Sequence, residues 1–196
     1  MPLRAPIAVG LAVIAALTLA GCSGKAASSA IRHLHPGAAS ESETMDAGYI
    51  GAGFTAIDTK VGAPHYGVIQ VSINPSSITM QVVDPNQPSN VDEYAYRRGT
   101  ATVDNPVPVD LTGSEPGALE QNTFQRTDLD PEVIAKVIQS APEQSGIDQA
   151  AASGVTITYP LVARQDDQPY IQVDVKGPRG HANPRYSLQG AKLDQQ

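Results

Sequence analysis

The stretch DPEVIAKVIQSAP, residues 130–142, carries a complete helix signature. Asp130 can offer a side-chain oxygen to the unpaired N–H groups of a first turn. Pro131 suits the first helical position, where no N–H is needed, and Glu132 complements the positive end of the dipole. Val133, Ile134, Val137, Ile138 and Ala141 then recur at helical spacing, which makes one apolar stripe. Pro142 is expected to limit the helix. A stripe of this kind needs a surface to cover, and the neighbouring sequence offers strands.

Downstream lie GVTITYPLVAR (154–164), PYIQVDVKG (169–177) and NPRYSLQGAKL (183–193). QDDQ (165–168) and PRGHA (178–182) separate them and read as hairpin-like turns. Upstream, the same order recurs in looser form. ETMDAGYIGAGFTAIDTKV (43–61) has a partial helical pattern weakened by Gly48, Gly51 and Gly53. These glycines run G-x-x-G-x-G with no strand before them, so they fail the dinucleotide fingerprint and fit close helix–sheet packing instead. YGVIQVSI (66–73) alternates Val68, Gln70 and Ser72 against Ile69, Val71 and Ile73. An Asn74-Pro75 turn, SITMQVVD (77–84), the polar loop DPNQPSN (84–90), EYAYRRGTATV (93–103) and NPVPVDL (105–111) follow.

Each half therefore reads as a helix and then three strands. The expected fold is α+β, with helices packed on one face of an antiparallel sheet. Residues 43–196 would form a single domain of two αβββ units, 43–112 and 128–193. In element order and loose residue pattern this resembles the small PepSY-like modules of bacterial envelopes. Either half alone would be too small to be comfortably stable.

The chain ahead of this body is of another kind. In MPLRAPIAVGLAVIAALTLAGC, Arg4 is followed by an uncharged run from Ala5 to Ala20. That is short of the ~20 apolar residues that cross a bilayer core, and it fits the h-region of a secretory signal. The run ends at Cys22, the only cysteine of the 196 residues. Leu19-Ala20-Gly21-Cys22 resembles the lipobox of bacterial lipoproteins. The resemblance implies a signal peptide over 1–21, cleavage before Cys22, and a diacylglyceryl group on its sulfur. Two acyl chains give the stable anchoring that one chain does not. The plainer alternative is a free or buried cysteine after a conventional signal; position, flanking residues and uniqueness all favour lipidation. Residues 22–42, rich in Ser, Ala and Gly, read as a flexible tether. The expected location is the extracytoplasmic face of the cell membrane, with the membrane as a partner through lipidated Cys22.

With a net charge of −7, the chain lacks the basic footprint of a nucleic-acid binder, and Arg97-Arg98 is the one basic pair in its interior. Loss of Arg4 with the signal makes the mature chain −8, so anionic headgroups repel the body. A lone cysteine forms no intramolecular disulfide, which leaves stability to the core. The Ala-, Val-, Pro- and Asp-rich composition is similar to that of high-GC bacteria such as actinobacteria.

Reactive constellations are sparse in the sequence. G-x-S-x-G, H-E-x-x-H, P-loop and spaced Cys/His patterns are all missing from the sequence. His33 and His35 are half a metal site on a tether, and His65 and His181 have no ligand-like spacing. Asp166-Asp167 reads as a solvated turn. The expectation is a protein without catalytic residues, metal or cofactor. The best candidate contact face is Tyr94, Tyr96, Arg97 and Arg98, because tyrosine and arginine are favoured in contact hot spots. The competing reading, which outweighs it, has the tyrosines capping the core edge and the arginines solvated. Functionally, the sequence points to a non-catalytic lipoprotein binding a protein or envelope component. The alternative is a carrier of lipid or another apolar ligand, which needs an apolar cavity between helices and sheet.

Overall fold

The computed structural model describes residues 44–63, 65–113, 117–160 and 167–194. The signal segment, Cys22, the tether with His33 and His35, and Asp166 lie outside the described residues. Residues 41–196 make one compact unit. Its described part is mixed α+β, a mostly antiparallel sheet with a few helices. The strands are β1 (Gly67–Asn74), β2 (Ser77–Val83), β3 (Val91–Arg97), β4 (Thr102–Val103), β5 (Val107–Pro108), β6 (Phe124–Gln125), β7 (Ala151–Thr158), β8 (Tyr170–Gly177), β9 (Gly180–Ala182) and β10 (Arg185–Ser187). The helices are α1 (Ala47–Val61), α2 (Ala118–Gln121) and α3 (Pro131–Gln144).

The strand order is β10-β8-β7-β1-β2-β3-β4, with β5 beside β3, β6 beside β1 and β9 beside β8. The middle of the sheet is the antiparallel pair β1–β7, in which Val71 faces Ile157 and Ile73 faces Val155. The core gathers Ile50, Phe54 and Ile57 of α1, Ile134, Val137 and Ile138 of α3, and inward residues of the central strands.

Helix α3 starts as its sequence predicts. The Asp130 carboxylate accepts the Glu132 N–H at 2.9 Å. Pro142, however, does not stop it, and the helix runs on to Gln144. Proline forgoes one backbone bond, and this close to the end of the helix the loss is small. The Ser145 hydroxyl then donates to the Pro142 carbonyl at 2.7 Å and closes the last turn.

Helix α1 is capped by Asp46, whose carboxylate accepts the Tyr49 N–H at 2.8 Å. It ends at Gly62, which takes φ of 73°, a left-handed conformation that glycine adopts without penalty. Gly53 is buried against the sheet, as the small-residue reading of these glycines expects.

Two strand details depart from expectation. In β1, Val68 pairs with Val82 while Gln70 pairs with Gln81, so the register shifts at Ile69. This bulge puts Val68 into the core with no exposure, and Ile69 is left half-buried. Simple alternation had assigned the two residues the other way round; an extra residue in one strand reverses every assignment on one side of it. In the second half, PRGHA is not all turn. Pro178-Arg179 turns the chain, β9 pairs with β8, and Asn183-Pro184 interrupts the strand before β10 resumes the pairing. A proline cannot donate to a ladder, which accounts for the break.

Candidate functional site

The four residues expected to form a contact face do not lie together on one surface. Tyr96 is 5% exposed, sits opposite Ile78, and meets the ring of Tyr49 at 6.2 Å. Tyr94, opposite Met80, is half-buried, and its burial, with Asp92 and Asp84 nearby, pushes its phenol up. Arg97 is exposed and pairs with Asp104 at 2.8 Å, a geometry worth at most about 1 kcal/mol in water. Arg98 folds back over the Tyr49 ring, 4.2 Å from its centroid. It donates to the carbonyls of Thr44 at 2.8 Å and Pro75 at 3.2 Å. Tyr49 donates to the Asn74 carbonyl at 2.9 Å, and burial pushes its phenol up to about 12. These contacts fasten the start of α1 to the turn between β1 and β2.

A second polar group joins the other end of α1 to the turn after β6. The Arg126 guanidinium makes a two-pronged pair with Asp58, both N···O distances being 3.0 Å. Its plane lies over Phe54, 4.4 Å from the ring centroid. The Tyr66 hydroxyl donates to the same carboxylate. Burial, then the bond to Asp58, pushes the Tyr66 phenol far above its ordinary range, so it stays neutral. Each member is occupied by the others, and the group acts as a tie rather than as an acid–base pair. Sequence reasoning had passed over it, because 68 residues separate Asp58 from Arg126.

Open concave surface gathers around Tyr159, immediately after β7. A cleft of about 600 Å³ has Phe124, Pro169 and Leu188 as its buried floor. Exposed Gln125, Asp128, Gln168, Gln189 and Leu193 form its rim. Phe124 and Tyr159 meet at 6.3 Å between ring centroids, tilted by 48°. A second cleft of about 440 Å³ lies between Ile69, Thr158 and Tyr159 on one side and Leu111, Leu119 and Asn122 on the other. Tyr159 lines both.

Among the described residues, Asp128 is the one ionisable carboxylate lining the first cleft and Glu120 the one lining the second. Asp128 is engaged locally, its Oδ2 accepting the Gln125 N–H at 3.2 Å. Among the described residues, no group of three or more His, Cys, Asp or Glu side chains could hold a metal. His181 is exposed on β9, and His65 follows α1 in the sequence. The sequence does contain a signal for the clefts, in retrospect. Phe124 is one of only two phenylalanines and stands alone in a polar stretch, and Tyr159-Pro160 ends a strand.

No protein-family model matches this chain, and no curated protein matches it. Among solved structures, the fold is similar to that of a candidate lipoprotein from Clostridium difficile 630. The two are 12% identical with a TM-score of 0.49, over 71% of this chain and 86% of the other.

Proposed function

We propose that this protein is a lipid-anchored lipoprotein of a bacterial envelope, held by Cys22 on the extracytoplasmic face of the membrane. Its domain, residues 43–196, is a non-catalytic module that binds a protein or another envelope component. The observation that carries the reading is Leu19-Ala20-Gly21-Cys22, standing at the end of an apolar run and containing the chain's one cysteine. Among the described residues no helix is long and apolar enough to cross a membrane.

A binding role draws support from the clefts, whose described lining residues are mostly neutral polar and apolar side chains. The carrier reading needs a cavity between helices and sheet. Ile50, Phe54 and Ile57 of α1 and Val71, Ile78, Ile157 and Ile171 of the strands have no exposure, which favours a filled core over such a cavity. The PepSY-like organisation belongs to the same proposal, with helices on one face and αβββ units at 43–112 and 128–193. It is supported by the order α1-β1-β2-β3, then α3-β7-β8-β10, with β1 and β7 meeting at the centre.

Metabolic labelling with a fatty-acid probe tests the anchor. Label on the wild-type protein that disappears in Cys22→Ala supports the reading, and label that persists in the variant refutes it.

A further inference from the structure

We infer that the cleft beside Tyr159 binds a neutral sugar ring, as carried by an envelope polysaccharide or a glycolipid headgroup. This deepens the binding role proposed above and rests on it. The cleft's two kinds of surface match the two kinds of surface on a pyranose.

A pyranose has an apolar C–H face and a girdle of hydroxyls. The buried Phe124 floor and the tilted Tyr159 ring supply an aromatic platform for the first. The rim supplies partners for the second. The Gln125 side-chain carbonyl is taken by the backbone of the short turn that follows it, which leaves its NH₂ to donate. Asp128 uses Oδ2 on Gln125 and keeps Oδ1 as an acceptor. Ser187 accepts the N–H groups of Gln189 at 3.2 Å and Ala191 at 3.3 Å, so its own proton is available. The Gln168 and Gln189 amides and the Tyr159 hydroxyl bond no other described residue. The rim thus holds both donors and acceptors above an apolar floor, and hydroxyls, which are both at once, can satisfy each of them.

Other ligand classes fit less well. The charge that the described lining residues carry is the carboxylate of Asp128, which disfavours a phosphate or carboxylate ligand. An acyl chain needs a longer apolar wall than Phe124, Pro169 and Leu188 provide beneath glutamine rims. The volume of about 600 Å³ falls in the range of small-ligand sites.

The test uses the full lipidated protein in detergent micelles, titrated by calorimetry with cellohexaose and with chitohexaose. Vesicles carrying a neutral digalactosyl lipid form a parallel arm. Saturable binding of either oligosaccharide assigns the site to a glycan chain, and binding of the vesicles alone assigns it to a headgroup. In either case Tyr159→Ala should weaken binding by about tenfold or more, since aromatic anchors dominate such contacts. Gln189→Ala, on the exposed rim where folding is not at stake, should weaken it about threefold or more. Gln139→Ala on the exposed side of α3 should leave it unchanged. No saturable binding to any of the three probes overturns the inference, as does binding indifferent to both Tyr159→Ala and Gln189→Ala. Fatty-acid labelling of the same preparation reads the anchor separately. Labelled protein that ignores sugars refutes the cleft assignment alone, and sugar binding by unlabelled protein refutes the anchor alone.

Discussion

A β-carbon added at Gly53 of α1 would lie 2.6 Å from the Cδ1 of Ile78 in β2, and 3.0 Å from the ring of Tyr96. Helix and sheet approach here to a distance that only glycine permits. Gly51, two residues earlier, has as its nearest neighbour the Pro131 ring at 4.0 Å.

The two glycines should therefore respond in opposite directions to alanine. Gly53→Ala gains helix propensity but forces Ile78 and Tyr96 aside, and overpacking of this kind costs about 1–3 kcal/mol. Gly51→Ala meets open space and should stabilise by about 0.5–1 kcal/mol. Urea midpoints measure both, and a stabilised Gly53→Ala would show that α1 does not press on the sheet.

Helix α3 offers a second contrast. Ile134 is 1% exposed and Ile138 is 6% exposed, four residues apart on one side, while Gln139 faces solvent. Truncating either isoleucine to alanine should cost about 2–5 kcal/mol, through lost burial and the cavity left behind. Gln139→Ala should stay within about 0.5 kcal/mol. Equal, small shifts in all three urea midpoints would contradict the packing of this helix.

Asp46 makes stability depend on acid. The N–H of Tyr49, then the Thr44 hydroxyl, hold its carboxyl below the usual range, and Arg98 adds to the effect. A carboxyl with a depressed folded-state pKa contributes stability that is present above its unfolded value of 3.8. That contribution is lost as pH falls through the lower, folded value. Asn can cap a helix nearly as well but does not titrate. Asp46→Asn should accordingly flatten the decline in thermal midpoint below about pH 4, with little change at pH 7. An unchanged acid slope would remove Asp46 from the account.

What the sequence reveals and what it hides follow from the range of the forces involved. The start of α3 is legible because Asp130, Pro131 and Glu132 act on their own turn, within three residues. The strands are legible from local alternation. The bulge at Ile69 is not, because register belongs to the pairing of β1 with β2 rather than to β1 alone. Tyr96 reads in sequence either as a contact residue or as a cap on the core edge, and the crossing of α1 over β3 buries it. The cleft is less legible still. Phe124, Tyr159 and Leu188 stand about thirty residues apart along the chain and meet only once the sheet has formed.

The central claim concerns Cys22, and the mature N-terminus tests it most directly. Protein purified from its host's membrane fraction and cut with trypsin should give an N-terminal peptide Cys22-Ser23-Gly24-Lys25. Mass spectrometry of that peptide should show a diacylglyceryl group on Cys22, with no residue before it. A mature chain that begins elsewhere, or an unmodified Cys22 at the terminus, would contradict the lipid anchor.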